Sequence, residues 1–310
     1  MASSISAAVG GGSARNYGVL CAVLGAFGFS FKSVLIRSAY RYGVDAETLL
    51  CLRMGYSLPL LLLMALALEH MPPTVLSRRD WFELCVLGLL GYYLASYLDF
   101  LGLRYITAAL ERIVLFIYPT LVVLLSAMFL GVPLTRKTVL VLVASYAGVL
   151  LSVAGNLRSG LHATAVGVAL VLGSALSFAL YLLRSGQTVQ RLGSTVVTIY
   201  ATAIACVACM LQFVLLRPLS ALHQAWQVHA LGVALALFST VLPIWLVTEA
   251  IRRLGASTAA MIATLGPVLT ILLAYLFLDE PLNLVQLAGA ALVVLSVMYL
   301  TDRKRALAPS

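Results

Sequence analysis

The chain contains few charged residues. Only 10% of its residues are Asp, Glu, Lys or Arg, while 62% are hydrophobic and the mean hydropathy is +1.05. Soluble globular domains carry about 25% charged residues, so this composition excludes a water-exposed surface over most of the chain. The sequence therefore predicts a chain solvated by a lipid bilayer. Its 310 residues leave room for ten or so membrane-spanning helices of about 20 residues each.

Several signatures of chemistry are also missing. The sequence has neither the G-x-x-x-x-G-K-[ST] motif of an ATP-driven pump nor the H-E-x-x-H motif of a metalloprotease. The four histidines stand singly, without companions at metal-ligand spacing, so no metal and no cofactor are predicted. The basic residues occur singly or in pairs without interleaved aromatic residues, which argues against nucleic acid as a partner. Together these absences argue against an enzyme.

Cysteine is scarce as well, with five residues, all inside apolar runs. An odd number of cysteines in such surroundings does not predict a disulfide framework. Cys206 and Cys209 form a C-x-x-C pair, but a redox pair requires an exposed, polarised thiolate. We interpret both as small packing residues.

Long apolar runs are abundant. Their length and continuity predict helices, because barrel strands would alternate over about ten residues. The predicted spans are 17–39, 46–68, 81–103, 107–130, 137–155, 163–184, 194–216, 228–250, 254–278 and 282–301. Residues 1–16 are rich in Ala, Gly and Ser and predict a disordered tail. The predicted fold class is all-α integral membrane with ten transmembrane helices.

The loops between the spans differ in charge. With a cytoplasmic N-terminus, twelve Lys and Arg residues fall on the cytoplasmic side and five on the opposite side. The five are Arg37, Arg41, Arg104, Arg158 and Arg217. Because cytoplasmic loops carry the excess of Lys and Arg, both termini are predicted to be cytoplasmic.

The chain also contains an internal repeat at an offset of 148 residues. Pro119 aligns with Pro267 and Phe129 with Phe277, and one further proline and five leucines match without a gap. These eight identities fall within sixteen positions, more than shared leucine content provides. One copy spans five helices, and this odd number forces the second copy to cross the membrane in the opposite sense.

The repeat predicts how the chain is divided. We expect a tail at 1–16, a first five-helix repeat at 17–155, a second at 156–301 and a cytoplasmic tail at 302–310. Inverted repeats are typical of secondary transporters, which hold their solute between the two halves near the midplane. A channel or a membrane sensor without a transport cycle is the alternative.

Several strings resemble a known family. The ten-span plan, the repeated Pro-centred spans and the string F-L-D-E-P-L-N at 277–283 resemble the drug/metabolite transporter superfamily, in particular its EamA-type members. The strings F-S-F-K-S-V-L-I-R-S-A-Y at 29–40 and L-D-F-L-G-L-R-Y-I-T-A-A-L-E-R-I-V-L-F-I-Y-P-T at 98–120 are similar to one bacterial subgroup. The resemblance covers the chain after residue 16 and implies an inner-membrane exporter of amino acids, drugs or other metabolites. The chain departs from the family at Val132, where the first repeat lacks the Glu that the second has as Glu280.

Five ionisable residues stand out away from the ends of the predicted spans, at a cost of about 2.5–3.5 kcal/mol each on the insertion scale. They are Lys32, Arg53, Asp99, Glu111 and Arg112. The topology puts all five at a similar depth, although they belong to four spans. We interpret them as the polar part of a solute cavity. The alternative is a set of ion pairs that only fixes helix packing, such as Lys32 with Asp99.

The charges of this cluster predict the kind of solute. Three cations face two carboxylates, so a bound anionic group such as a carboxylate would relieve the unpaired charge. Arg53 is the preferred clamp, because a planar guanidinium binds a carboxylate through two hydrogen bonds. Asp99 and Glu111 can exchange protons in a low-dielectric site, which predicts coupling to the proton gradient.

Pro119 and Pro267 lie inside spans at matched positions and are predicted hinges, with a static kink as the alternative. Ala144 and Gly148 form a small-xxx-small face for close helix packing, within the chain or in a dimer. Weaker candidates for the cavity, which could equally face lipid, are Tyr181, Tyr200 and Trp245.

The sequence therefore predicts a secondary transporter of a small polar metabolite such as an amino acid or organic acid. We expect it to export the solute by alternating access in a bacterial inner membrane, with protons as the coupling ion. Its expected partners are the solute and the lipid bilayer, and the oligomeric state stays open.

Overall fold

The computed structural model describes residues 2–67, 76–131, 133–155, 160–254, 262–281 and 283–307. These residues form helices and turns, and they contain no strand. The helices are α1 (Ala2–Tyr40), α2 (Ala46–Ala67), α3 (Arg78–Leu87), α4 (Ala95–Gly102), α5 (Ala108–Leu115), α6 (Tyr118–Leu130), α7 (Arg136–Ala154), α8 (Leu161–Leu192), α9 (Ser194–Leu216), α10 (Trp226–Ala236), α11 (Leu242–Leu254), α12 (Gly266–Leu278) and α13 (Leu284–Leu307). Two π-helical segments, π1 (Gly88–Leu94) and π2 (Leu237–Val241), join α3 to α4 and α10 to α11.

The helices have the length and composition that a bilayer requires. Eight of them, counted through the π-helical joints and the α5–α6 break, are long and apolar enough to cross it, and Gly266–Leu278 and Leu284–Tyr299 are shorter apolar helices. A helix pairs its backbone groups internally, as a lipid environment demands. The predicted all-α membrane fold class is thus confirmed. α1 begins at Ala2, inside the segment that composition assigns to a tail.

Irregular backbone occurs at corresponding places in the two repeats. The turn at 116–117 separates α5 from α6, and the turn at 264–265 immediately precedes α12, 148 residues later. The same offset moves π1 onto residues 236–242, which contain π2. The two inverted halves therefore share their helix breaks as well as their sequence.

Helices from the two repeats pack against each other in pairs. α7 runs along α13, and α1 lies between α11 and α12. At the first of these contacts, a Cβ added to Gly148 would lie 2.7 Å from the carbonyl oxygen of Gly289. Lipid tails are as apolar as leucine, so such close backbone approach, and not hydrophobic burial, stabilises helix pairs in a membrane. The small face at Gly148 is used within the chain.

Polar contacts lie at both ends of the bundle. At the end of α1, which we call the outer end after its predicted orientation, Arg217 lies 3.3 Å from Glu47. At the opposite end, the inner end, Arg184 lies 3.2 Å from Glu83. Arg158 and Val132, which enter the topology and repeat arguments, lie outside the described residues.

Candidate functional site

Lys32 of α1 and Asp99 of α4 form an ion pair inside the bundle. Lys32 Nζ lies 2.5 Å from Asp99 Oδ2, and the Asp99 side chain is 2% exposed. The other oxygen, Asp99 Oδ1, is buried and has no hydrogen-bond partner among the described residues. A buried polar atom without a partner is costly, so this oxygen favours the binding of a proton or a ligand donor.

Glu111 of α5 lies beside this pair and is fully buried. Its Oε2 accepts a 2.5 Å hydrogen bond from the hydroxyl of Ser33. Its Oε1 likewise has no hydrogen-bond partner in the described part of the chain. The carboxyl groups of Asp99 and Glu111 lie within direct interaction distance. One proton between them would satisfy buried oxygens on both residues and reduce the repulsion of two like charges.

Arg53 of α2 is held by hydroxyl groups and an aromatic ring. Its Nε donates to Thr240 Oγ1 at 3.0 Å and its Nη1 to Ser96 Oγ at 3.5 Å. Its Cζ lies 5.4 Å from the centroid of the Phe100 ring, in cation–π geometry. Arg53 is 7% exposed and connects α2 to α4 and π2. These contacts use two of the three nitrogens of the guanidinium that the sequence predicts to bind the solute carboxylate.

Arg112 of α5 has fewer contacts. Its guanidinium reaches the first residue of α12, where a Cβ added to Gly266 would lie 2.8 Å from Arg112 Nη2. Arg112 Nε is buried, with no hydrogen-bond partner among the residues that the structure describes. The N-terminus of a helix carries a partial positive charge, so a cation here is unfavourable by itself. An anionic group bound between Arg112 and α12 would be stabilised by both.

The predicted hinge prolines directly follow the two helix breaks. Pro119 and Pro267 each lie in the first turn of the helix after the break, α6 and α12. Proline lacks the N–H that an unbroken helix would use, so each residue favours the interruption. π2 adds a further irregularity, since it carries Thr240, which binds Arg53. Interrupted helices next to buried charges are typical of transport sites.

The two ends of the bundle are packed differently. Only Thr120 and Leu125 are buried in α6, whereas seven residues are buried in α12, its counterpart in the second repeat. Leu130 is 64% exposed, while its repeat mate Leu278 is 7% exposed. Because these helices have matching sequences, the difference arises from their surroundings: α6 points to the inner end and α12 to the outer end.

A cavity of about 410 Å³ lies at the inner end, beside α6. It is lined by Arg79, Glu83, Phe129, Leu130, Leu180, Leu183, Arg184, Gln187, Thr188 and Arg191. At the outer end, the space between Ala109, Ile271 and Glu280 measures only about 10 Å³, scarcely the room for one water molecule. In the described part of the bundle, the cavity at the inner end is thus much larger than the space beside Glu280 at the outer end.

The aromatic candidates of the second half have other surroundings. Tyr181 is buried, with its ring centroid 5.3 Å from that of Tyr92. Tyr200 meets Trp81 edge to face at 5.6 Å, near the inner end. Trp245 is 41% exposed. Neither ring contact involves a residue of the charged cluster.

Sequence reasoning missed the hydroxyl partners of the cluster, Ser33, Ser96 and Thr240, and the carboxylate of Glu280 at the outer end. Small hydroxyl residues are common in membrane helices, so composition alone does not single them out. Their spacing offers a signal, because Ser33 follows Lys32 directly and Ser96 precedes Asp99 by three residues, one helical turn.

Lipid-length helices, two inverted halves and broken spans around buried charges together define a multi-pass membrane transporter. The chain belongs to the EamA-like transporter family, whose model matches residues 16–154 and 165–301. This membership confirms the resemblance to the drug/metabolite transporters. It also confirms the prediction that the protein is a transporter and not an enzyme.

Named relatives agree with this assignment. The uncharacterized transporter YcbK of Bacillus subtilis is 29% identical over 93% of each chain, and YvbV of the same organism is 32% identical over 74% of each. The threonine/homoserine exporter RhtA of Escherichia coli is 31% identical over 150 residues, 46% of this chain and 48% of that protein. A solved crystal structure that is 19% identical superposes with a TM-score of 0.60 over 96% of this chain and 99% of the other, and so shares the fold.

Proposed function

We infer that the protein exports a small amino acid by alternating access in exchange for protons. The observation that carries this proposal is the set of unpartnered atoms in the charged cluster. Arg112 Nε is a free donor, while Asp99 Oδ1 and Glu111 Oε1 are free acceptors, among the described residues. A zwitterionic amino acid has a carboxylate that can accept a hydrogen bond from Arg112 Nε. Its ammonium group can donate to Asp99 Oδ1 and Glu111 Oε1.

Charge balance supports a carboxylate-bearing solute. Lys32 is paired with Asp99, and Glu111 accepts a hydrogen bond from the neutral Ser33. With all five groups ionised, one positive charge is left over, and Arg112 has the fewest contacts to compensate its own. A guanidinium binds a carboxylate with strong, charge-assisted hydrogen bonds, so the solute carboxylate is assigned to Arg112 in place of Arg53.

The adjoining carboxyl groups of Asp99 and Glu111 support proton coupling. A proton on this pair and the ammonium group of a solute compete for the same oxygens, since each supplies the positive charge and the donor that they lack. Binding of one therefore favours release of the other. Such competition is the simplest form of exchange between a solute and a proton.

The larger cavity at the inner end supports export. The cavity there is lined by Arg79, Arg184 and Arg191 against one carboxylate, Glu83, which is paired with Arg184. The excess of positive charge favours the approach of a solute carboxylate from the cytoplasm. Alternate opening of the outer end would then release the solute outside. In this proposal both termini are cytoplasmic and the membrane is the bacterial inner membrane. The relationship to an exporter of threonine and homoserine, over 46% of the chain, supports the direction and the solute class.

Purified protein in liposomes tests this function, with radiolabelled L-threonine and L-homoserine as the first probes. We expect saturable counterflow, and efflux that accelerates when the outside is made acidic. Asp99→Asn should keep counterflow but lose much of the acceleration, because the carboxyl pair then holds a proton at most on Glu111.

Three results would contradict parts of the proposal. Unitary currents in place of saturable flux would indicate a channel. If an imposed pH gradient does not change the rate of counterflow, proton coupling would be excluded. The protein would then work by solute exchange or facilitated diffusion. Counterflow of organic acids but of no amino acid would show that the ammonium half of the assignment is wrong.

A further inference from the structure

The carboxylate of Glu280 joins the two repeats at the outer end by binding backbone amides. Glu280, which follows α12, accepts hydrogen bonds from the backbone N–H of Ala108 at 2.9 Å and of Ala109 at 3.3 Å. These are first-turn amides of α5, which the helix itself leaves unpaired. The next amide, of Leu110, donates to the side chain of Thr107 at 3.2 Å. The start of α5 is therefore satisfied in part by the opposite repeat.

The contact is well suited to hold the outer end closed. The negative charge of Glu280 lies at the positive end of α5, where an anion is favoured. Arg37 of α1 approaches the same carboxylate, with its Nε 4.0 Å from Oε1. Arg41, the first residue after α1, donates to the carbonyl oxygen of Leu278 at 2.7 Å. α1, α5 and the end of α12 are thereby tied at one point.

The first repeat contains the same turn without the carboxylate. Gly131 ends α6 at φ 66°, and its repeat mate Asp279 ends α12 at φ 57°, the only non-glycine residue with a positive φ in the described chain. A left-handed conformation is unfavourable for a residue with a Cβ. The second repeat thus keeps the same left-handed turn, which Asp, like Asn, can adopt, and Glu280 directly follows it. At the position of Glu280 the first repeat has Val132, which has no carboxylate.

We propose that Glu280 is the latch of the outer end. Its hydrogen bonds to α5 keep that end closed, and the carrier accessible from its inner end, until a solute or a proton binds to or leaves Glu111 and Arg112. α5 is eight residues long, and it carries Glu111 and Arg112 one turn after the amides that Glu280 binds. A solute or proton that changes the contacts of Glu111 and Arg112 acts directly on the helix that the latch holds. Glu280 is a positioning residue, and its role rests on alternating access in the proposed function.

Hydrogen–deuterium exchange on the full chain in lipid nanodiscs tests the latch without any solute. In Glu280→Gln, exchange over residues 106–115 should become about tenfold faster, as expected when a charge-assisted hydrogen bond is lost from a two-state contact. If the outer end opens, the inner end must close, so exchange over residues 121–130 should become slower at the same time.

Asp279→Asn is the matched control. The neighbouring carboxylate is 92% exposed and lies 3.9 Å from Arg41, and asparagine tolerates its backbone conformation, so neither segment should change.

The reciprocal change separates a gate from a simple helix cap. Faster exchange over 106–115 with no protection of 121–130 would show that Glu280 only caps α5, and the proposal would be withdrawn. Exchange equal to that of the native protein in both segments would also overturn it. Should Glu280→Gln fold poorly, Glu280→Asp shortens the side chain by one methylene and should give the same two changes at smaller amplitude. Because no solute is present, a failed counterflow assay with a reciprocal exchange pattern would refute the proposed function and leave the latch intact.

Discussion

The buried charges of the site differ in how completely they are compensated. Lys32 and Asp99 neutralise each other, and Arg53 is held by two hydroxyl groups and a ring. Arg112, Glu111 and the second oxygen of Asp99 each provide a buried atom without a partner among the described residues. A charged group whose hydrogen bonds are all formed within the protein stabilises one packing arrangement. A group that lacks a partner favours a ligand that supplies the missing hydrogen bond. Binding is therefore expected at Arg112 and Glu111, and positioning at Arg53.

Arg112→Lys and Arg53→Lys separate these two roles. Lysine keeps the charge but loses the planar fork, so Arg112→Lys should raise the KM for the solute by about tenfold, the loss of roughly one charged hydrogen bond. Folded yield should stay near that of the native protein. Arg53→Lys loses the contacts to Thr240 and Ser96, and it should lower the thermal midpoint in detergent more than it raises KM. Counterflow titrations and thermal melts of both variants measure the difference.

The pair of Lys32 and Asp99 provides the control for this interpretation. If the cluster only packs helices, the double variant Lys32→Leu with Asp99→Leu should transport normally, because apolar residues often replace a buried ion pair without loss of stability. We expect the double variant to fold and to lose proton-driven transport. Normal transport by this variant, together with a normal KM for Arg112→Lys, would contradict the assignment of the cluster as the solute site.

At the scale of the helix, the irregular segments are as informative as the regular ones. Proline at matched positions predicted interruptions in two spans, and both breaks occur within three residues before it. π2 ends two residues before Pro243, in the same relation, whereas π1 contains no proline. The extra residue that makes π1 a π-helical turn therefore has no signature in the sequence. Sequence thus identifies breaks caused by local chemistry and misses those caused by packing.

Pro119→Ala and Pro267→Ala test whether these breaks move during transport. Alanine restores an N–H and a strong helix propensity, so it favours straight spans in place of broken ones. If the breaks are hinges, turnover should fall by about tenfold with little change in KM, because a barrier between states rises while binding is unaffected. Initial-rate counterflow over a range of solute concentrations gives both values.

Pro59 is the matched control, since it lies inside α2, which continues unbroken from Ala46 to Ala67. Pro59→Ala should leave turnover within about twofold, because no interruption depends on this proline. A static-kink role for Pro119 and Pro267 would give the opposite pattern. All three variants would then transport at similar rates and differ only in thermal stability.

At the scale of the whole molecule, two nearly symmetric repeats form an asymmetric structure. The repeat, the spans and the five charges inside them could be predicted from the sequence, because prolines, apolar runs and isolated charges stand out in a lipid-soluble chain. The pairing of those charges could not. Lys32 and Asp99 are 67 residues apart, and Arg53 and Thr240 are 187 apart, so only the packing of distant spans brings them together. The same limit applies to the larger cavity at the inner end, which depends on how α6 and α12 are surrounded.

The assignment of the inner end to the cytoplasm rests on the distribution of charge, and it decides the direction of transport. Reporter fusions after Lys137 and after Arg305 should both be active only in the cytoplasm, and a fusion near Arg158 should be active only outside, because loops rich in Lys and Arg are retained on the cytoplasmic side. The fusion after Lys137 also orients the site, since α7 begins at Arg136, next to the exposed end of α6.

If the first two reporters fall on opposite faces, the chain crosses the membrane an odd number of times between them. The ten-span inverted repeat would then be wrong. If all three are inverted together, the repeat stands, but the open cavity with its arginines faces outward, and uptake would replace export.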